Sequence, residues 1–245
     1  MDDSSHSRRH FLRQASLRSL ALAGAAGGLS GLSGFTELHG QQRSAPLTPD
    51  ESLAKLKQGN RDFLAGKIRT ASTDKERRLQ LARTQTPFAV LVGCSDSRVP
   101  PELLFGSGLG ELFIVRNAGN TVDTVGLGSI EYGALVLGAP LIVVLGHERC
   151  GAVDAAVHVV EDNKTYPGSI GRMIEPIIPA VLKARDGGKV KGDALLDASV
   201  RQNVRRVVER LRDSEPTLIT PMKAGKLKVV GARYDLDDGR VEFLA

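Results

Sequence analysis

Apolar positions along the chain fall into two kinds of run, short unbroken strings and longer spaced ones. "FAVLVG" (88–93), "ELFIVRN" (111–117) and "LIVVLGH" (141–147) are short, rich in β-branched residues and without polar alternation. Such strings predict strands covered on both faces. Between the last two, "VGLGSIEYGALVLGA" (125–139) has the length and apolar spacing of a packed helix. Strand, helix and strand in that order predict an α/β fold, a central and mostly parallel sheet flanked by helices with right-handed crossovers. "TPDESLAKLKQGNRDFLAG" (48–66) predicts a helix that opens on a capping box, with Thr48 as N-cap, Pro49 next and Glu51 three residues on. A second, charged helix is predicted over 73–84, and "ASVRQNVRRVVERLRD" (198–213) places Val200, Val204, Val207 and Leu211 on one helical face with arginines opposite. The chain closes on "KLKVVGARYDLDDGRVEFLA", two strands joined by an Asp-Gly turn. No internal repeat interrupts this pattern, which reads as a single domain over 46–245.

The first 45 residues do not belong to it. "SRRHFLR" (7–13) sets Arg8 and Arg9 before a mildly apolar stretch from Leu17 to Phe35, the order of a signal peptide. Gly, Ser and Thr interrupt that stretch, so it is a poor membrane span, and no other segment suggests one in the mature chain. The segment resembles a twin-arginine signal, which serves a route that exports folded proteins, and it predicts a periplasmic protein. Cleavage is expected between Gly34 and Ala45. A chance basic N-terminus is the competing reading.

Composition narrows the function. Of the formal net charge of +5, +2 lies in the first 45 residues, and the rest has no basic run. With no Trp, three Tyr and seven Phe, stacking surfaces are scarce, and nucleic acid is not indicated as a partner.

The remaining chemistry is concentrated. Cys94 stands just past one predicted strand, in "CSDSRVP", and His147 and Cys150 just past another, in "GHERCGAV". In a parallel sheet the carboxyl ends of strands form one crevice, so both clusters are expected to face it. The chain has two Cys and five His, and three of the His (His6, His10 and His39) lie in the leader. Two thiolates and an imidazole are a common ligand set of a catalytic zinc site with one position open. A disulfide between Cys94 and Cys150 is the alternative, favoured by an oxidising compartment. Export in the folded state favours metal instead, since the ion can be loaded first.

"CSDSRVP" followed by "GHERCGAV" resembles the β-class carbonic anhydrases, whose motifs are Cys-x-Asp-x-Arg and His-x-x-Cys. The resemblance is specific from about Phe63 through Val153 and looser beyond. It implies one zinc ion per subunit on Cys94, His147 and Cys150, hydration of carbon dioxide to bicarbonate by a zinc-activated water, and an Asp96–Arg98 pair in which Asp96 accepts a hydrogen bond from the nucleophile while Arg98 holds Asp96 off the metal. It further implies a substrate cleft lined by Gln85, Phe113 and Tyr132, often across a dimer interface, and so a homodimer or homotetramer. Certain relatives carry an inhibitory bicarbonate pocket that contains Trp; this chain has no Trp, so that pocket is not expected in its usual form. Gly119, in "RNAGN", stands where a small apolar residue is expected and implies a different backbone freedom. Hydrolysis of carbon disulfide or carbonyl sulfide on the same scaffold, and a non-catalytic zinc-binding module, are the other readings; Asp96, Arg98 and Gln85 speak against the latter, since metal storage needs none of them. Glu148 and Arg149 have no assigned role beyond a solvated or interface pair, and His158 is an exposed helical histidine before it is a proton shuttle.

Overall fold

The computed structural model describes residues 47–67, 73–213 and 216–244. The targeting segment predicted over 1–45 lies outside the described residues. In chain order the elements are α1 (Pro49–Leu64), α2 (Lys75–Leu81), β1 (Ala89–Cys94), α3 (Pro101–Leu104), β2 (Leu112–Asn117), α4 (Thr124–Glu131), β3 (Leu141–His147), α5 (Gly151–Asp162), α6 (Ser169–Ile174), α7 (Ile178–Ala184), α8 (Gly192–Asp213), α9 (Pro216–Lys223), β4 (Lys228–Tyr234) and β5 (Val241–Leu244). A π-helical turn, Tyr132–Val136, prolongs α4.

The strands form one sheet in the order β2-β1-β3-β4-β5, parallel but for β5, which runs antiparallel to β4. The turn between them contains the predicted Asp238-Gly239, with Gly239 at a φ of 78° that only glycine adopts freely. β1 and β3 are buried along their whole length because both faces of the sheet are covered. Val90, Val92, Ile142 and Val144 meet Val204, Val207, Val208 and Leu211 of α8 on one face. Leu91, Val143 and Leu145 meet Leu56 of α1 and Leu104 of α3 on the other. Each such side chain contributes about 1.5–3 kcal/mol on burial. The capping box of α1 forms as predicted, Glu51 N–H donating to Thr48 Oγ1 at 3.2 Å while Glu51 Oε2 accepts from Thr48 N–H at 2.8 Å.

Two expectations need correction. β2 is the sheet's edge, with one neighbour strand, and its residues are only half-buried or exposed where cover on both faces was expected. The 125–139 segment is helical, but it is not packed all round: Val125, Tyr132, Leu135 and Val136 are exposed, and only one side, at Ile130 and Gly133, closes on the sheet. Both departures fall on the same edge. Helices α6, α7 and α9 are short and punctuated by Gly and Pro, so their periodicity predicts nothing. No helix among the described residues is long and apolar enough to cross a membrane.

Candidate metal centre

Parallel pairing of β1 and β3 sets Val92 beside Val144 and Gly93 beside Leu145, so the strands deliver Cys94 and His147 to one edge of the sheet. Beyond β3 the chain turns through Arg149, at a φ of 50°, and brings Cys150 in as N-cap of α5. The Sγ atoms of Cys94 and Cys150 are then 3.9 Å apart, and with a His147 nitrogen the ligand atoms all lie within 4.8 Å of one another. Cys94, His147 and Cys150 are 5%, 0% and 1% exposed. The two clusters do converge at one edge of the sheet. Both cysteines are free thiols, and 3.9 Å is far beyond the bonded sulfur distance, so the structure does not adopt the disulfide alternative.

His147 Nδ1 lies 2.8 Å from the Glu148 carbonyl oxygen, which can only accept, so Nδ1 carries the proton. Nε2 is left as a buried acceptor without a hydrogen-bond partner. Such an atom is costly unless something binds it, and a thiophilic divalent ion would satisfy it together with both sulfurs. The sulfurs move in opposite directions because one proton serves both. The contact from Cys150 holds Cys94 far below the usual thiol range, while the same contact and burial push Cys150 up. A bound divalent cation would take the place of that shared proton.

Asp96 stands at the mouth of the triad, with Oδ2 3.8 Å from His147 Nε2. Arg98 donates to Oδ1 from its backbone N–H at 2.9 Å and from Nε at 3.0 Å, and to Oδ2 from Nη2 at 2.8 Å. This fork, ahead of any other cause, holds the Asp96 carboxyl well below the usual carboxylate range. Arg116, which the sequence does not single out, shapes the loop from beneath, donating to the carbonyls of Cys94 at 2.7 Å and Asp96 at 2.6 Å. Gly119 donates its N–H to Cys94 Sγ at 3.3 Å.

Glu148 and Arg149 fasten the turn between the ligands to the β4–β5 hairpin. Arg149 forks onto Asp237 at 2.9 and 2.6 Å, and Glu148 Oε2 accepts from Leu236 N–H at 3.1 Å. His158 is paired with Asp154 and Asp162 of its own helix, not with the triad.

The structure brings Phe113 and Tyr132 together, ring centroids 6.1 Å apart, and sets Gln85 and Tyr132 in a surface hollow of about 760 Å³ shared with Arg83, Leu109 and Leu137. It does not bring them to the triad of the same chain. Phe113 is in register with Val90, four residues before Cys94, which is about 13 Å of strand.

The family model for carbonic anhydrase matches residues 89–241. A carbonic anhydrase of Mycolicibacterium smegmatis is 41% identical over 188 residues, 77% of this chain and 89% of the relative. The solved β-carbonic anhydrase of Coccomyxa, in complex with acetazolamide, superposes with a TM-score of 0.60 at 30% identity, covering 78% of this chain and 86% of its own. The chain belongs to the β-carbonic anhydrases. A second β-carbonic anhydrase structure, from a tetrameric enzyme of Sordaria macrospora, superposes with a TM-score of 0.62 at 26% identity over 68% of this chain and 85% of its own. The span matched by the family model contains Cys94, Asp96, Arg98, Phe113, Tyr132, His147 and Cys150, whereas Gln85 precedes it. What sequence reasoning misses in this β-carbonic anhydrase is the backbone around the ligands. Arg116 carries no signal beyond its place at the end of β2, and Gly119 acts through its main chain.

Proposed function

We propose that the chain is a zinc enzyme that interconverts carbon dioxide and bicarbonate, with one zinc ion per subunit on Cys94, His147 and Cys150. The observation that carries this reading is the unpartnered Nε2 of His147 facing two free sulfurs, with Asp96 held by Arg98 beside them. Zinc in such a set supplies a Lewis acid that makes water nucleophilic near neutral pH. The side chains do the rest. Asp96 Oδ2 accepts a hydrogen bond from the attacking water and so aims a lone pair at the substrate carbon. Arg98 keeps Asp96 ionised and turned toward itself, away from the metal. The water oxygen bonds to carbon and one proton leaves to solvent, which balances the reaction.

Gln85, Phe113 and Tyr132 complete the cleft of a neighbouring subunit, with Gln85 donating to a substrate oxygen and the two rings forming an apolar wall for a small linear molecule. Their distance from their own triad and the exposed apolar edge of β2 and α4 support a homodimer, which can pair further into a homotetramer. Residues 1–45 serve as the export signal and 46–245 as the catalytic domain, delivered folded to the periplasm. The Arg8–Arg9 pair supports this. Changing both to Lys is expected to leave uncleaved protein in the cytoplasmic fraction, and unchanged export would contradict the reading.

Stopped-flow hydration of carbon dioxide by the chain from about Ala45, beside hydrolysis of carbon disulfide and carbonyl sulfide, tests the function. Fast hydration that rises with pH is expected. Zinc-loaded protein that hydrolyses carbon disulfide without hydrating carbon dioxide would assign the site to the other reaction.

A further inference from the structure

Along α8, Val204, Val207 and Leu211 pack on the sheet and Val200 on the ligand end of it. Asn203 breaks that stripe. It is 2% exposed, in the body of a 22-residue helix, where Asn is a poor helix former and a buried amide must find partners. Its partner is remote in sequence: Nδ2 donates to the Gly119 carbonyl at 2.8 Å. Gly119 is thereby held at both ends, since its own N–H donates to Cys94 Sγ at 3.3 Å.

The backbone there needs holding. Gly119 has a φ of 80° and Asn120 a φ of 45°, two successive left-handed residues that persist only when their surroundings impose them. A Cβ on Gly119 would lie 2.6 Å from Ile177 Cδ1 and 3.1 Å from Ala152 Cβ, so conformation and space both demand glycine. Glycine in a loop is also the residue with most freedom to lose. We infer that Asn203 is a positioning residue of the metal centre, fixing the Gly119 turn so that its N–H is directed at Cys94 Sγ.

The consequence rests on the zinc reading. An N–H bonded to a thiolate ligand draws charge from the sulfur and orients its lone pairs, so partners of this kind tune both affinity and electronics of the bound ion. α8 contributes no ligand, yet it would set the donor strength of one.

Cobalt(II) in place of zinc reports on this directly, through the sulfur-to-cobalt charge-transfer band, and chelator competition gives the zinc affinity. Asn203→Leu keeps the branched shape, in a somewhat larger side chain, and removes the donor. It is expected to move the band to lower energy and weaken zinc binding about 10-fold or more. Asn203→Ser, whose hydroxyl is too short to reach Gly119, is measured alongside, so the test survives if the leucine variant does not fold. Val207→Ala, a buried truncation one turn along that touches neither Gly119 nor a ligand, is expected to lower stability and leave the band in place. An unchanged band and affinity in folded Asn203 variants, or the same shift in Val207→Ala, would overturn the inference. An unaltered chain that takes up neither cobalt nor zinc would overturn the zinc reading first, and this inference with it.

Discussion

Asp96 and Arg98 are the residues in which geometry and chemistry are most tightly joined. Both Asp96 oxygens are occupied by Arg98, and that fork keeps an ionised acceptor 3.8 Å from the His147 nitrogen. Asp96→Asn keeps the shape but loses the anionic acceptor, so hydration should fall by about 10²-fold or more, the scale of general acid–base assistance. Zinc content should stay unchanged, because Asp96 is not among the proposed ligands; loss of zinc would mean that it is one. Arg98→Lys should fall in between, since an ammonium cannot make the fork. The ligands and this pair are legible in the sequence because their side chains do the work, the ligands through types rare in the chain and the pair through its place two and four residues after Cys94. Arg116 is not, and of Gly119 only the backbone freedom is, which its φ of 80° bears out. Arg116 acts on two carbonyls, for which a residue string carries no signal, and the string marks Gly119 without showing that its N–H meets Cys94 Sγ.

At the scale of elements, glycine marks where helices touch other backbone. A Cβ on Gly59 of α1 would lie 1.9 Å from the carbonyl oxygen of Phe105, just past α3, and backbone cannot move aside as a side chain would. Gly59→Ala should therefore cost on the order of 1–3 kcal/mol, read as a lower Tm, and an unchanged Tm would contradict this packing. A second prediction concerns the seam of α8, β4 and β5, where Arg201 pairs with Asp197 and Glu242, and Arg233 with Asp197 and Asp235. The hydrogen bond from Arg201, first among the causes, lowers the Glu242 pKa in the fold. A lowered folded value contributes stability above the unfolded carboxylate pKa and loses it as pH falls through the folded one. Glu242→Gln should thus be slightly less stable than the unaltered chain at neutral pH, by less than about 1 kcal/mol for a pair this exposed. In urea unfolding the difference should vanish in acid, and one that persists there would contradict it. The strings of β1 and β3 predict these strands well because both faces are apolar. The same kind of string misleads at β2, since composition does not say which strand ends the sheet.

Across the described residues, exposed apolar side chains gather on the β2–α4 side of the sheet. β2, α4 and the π-helical turn leave Tyr132 and Val136 48% and 66% exposed beside a half-buried Phe113. The proposed dimer covers this face and brings Gln85, Phe113 and Tyr132 to the cleft that their own chain does not offer them. Val136→Asp should lower the molar mass measured by light scattering and, with it, hydration, while the zinc ligands of each chain stay intact. A monomer with full activity would contradict the shared cleft.

Everything proposed for the reaction depends on the Cys94–His147–Cys150 site hydrating carbon dioxide once it is loaded with zinc. Its most direct test is the stopped-flow hydration rate measured while zinc is titrated back into chelator-stripped protein. The rate should climb in proportion to bound zinc and level off at one ion per chain. Full zinc without hydration, or hydration indifferent to zinc, would contradict it.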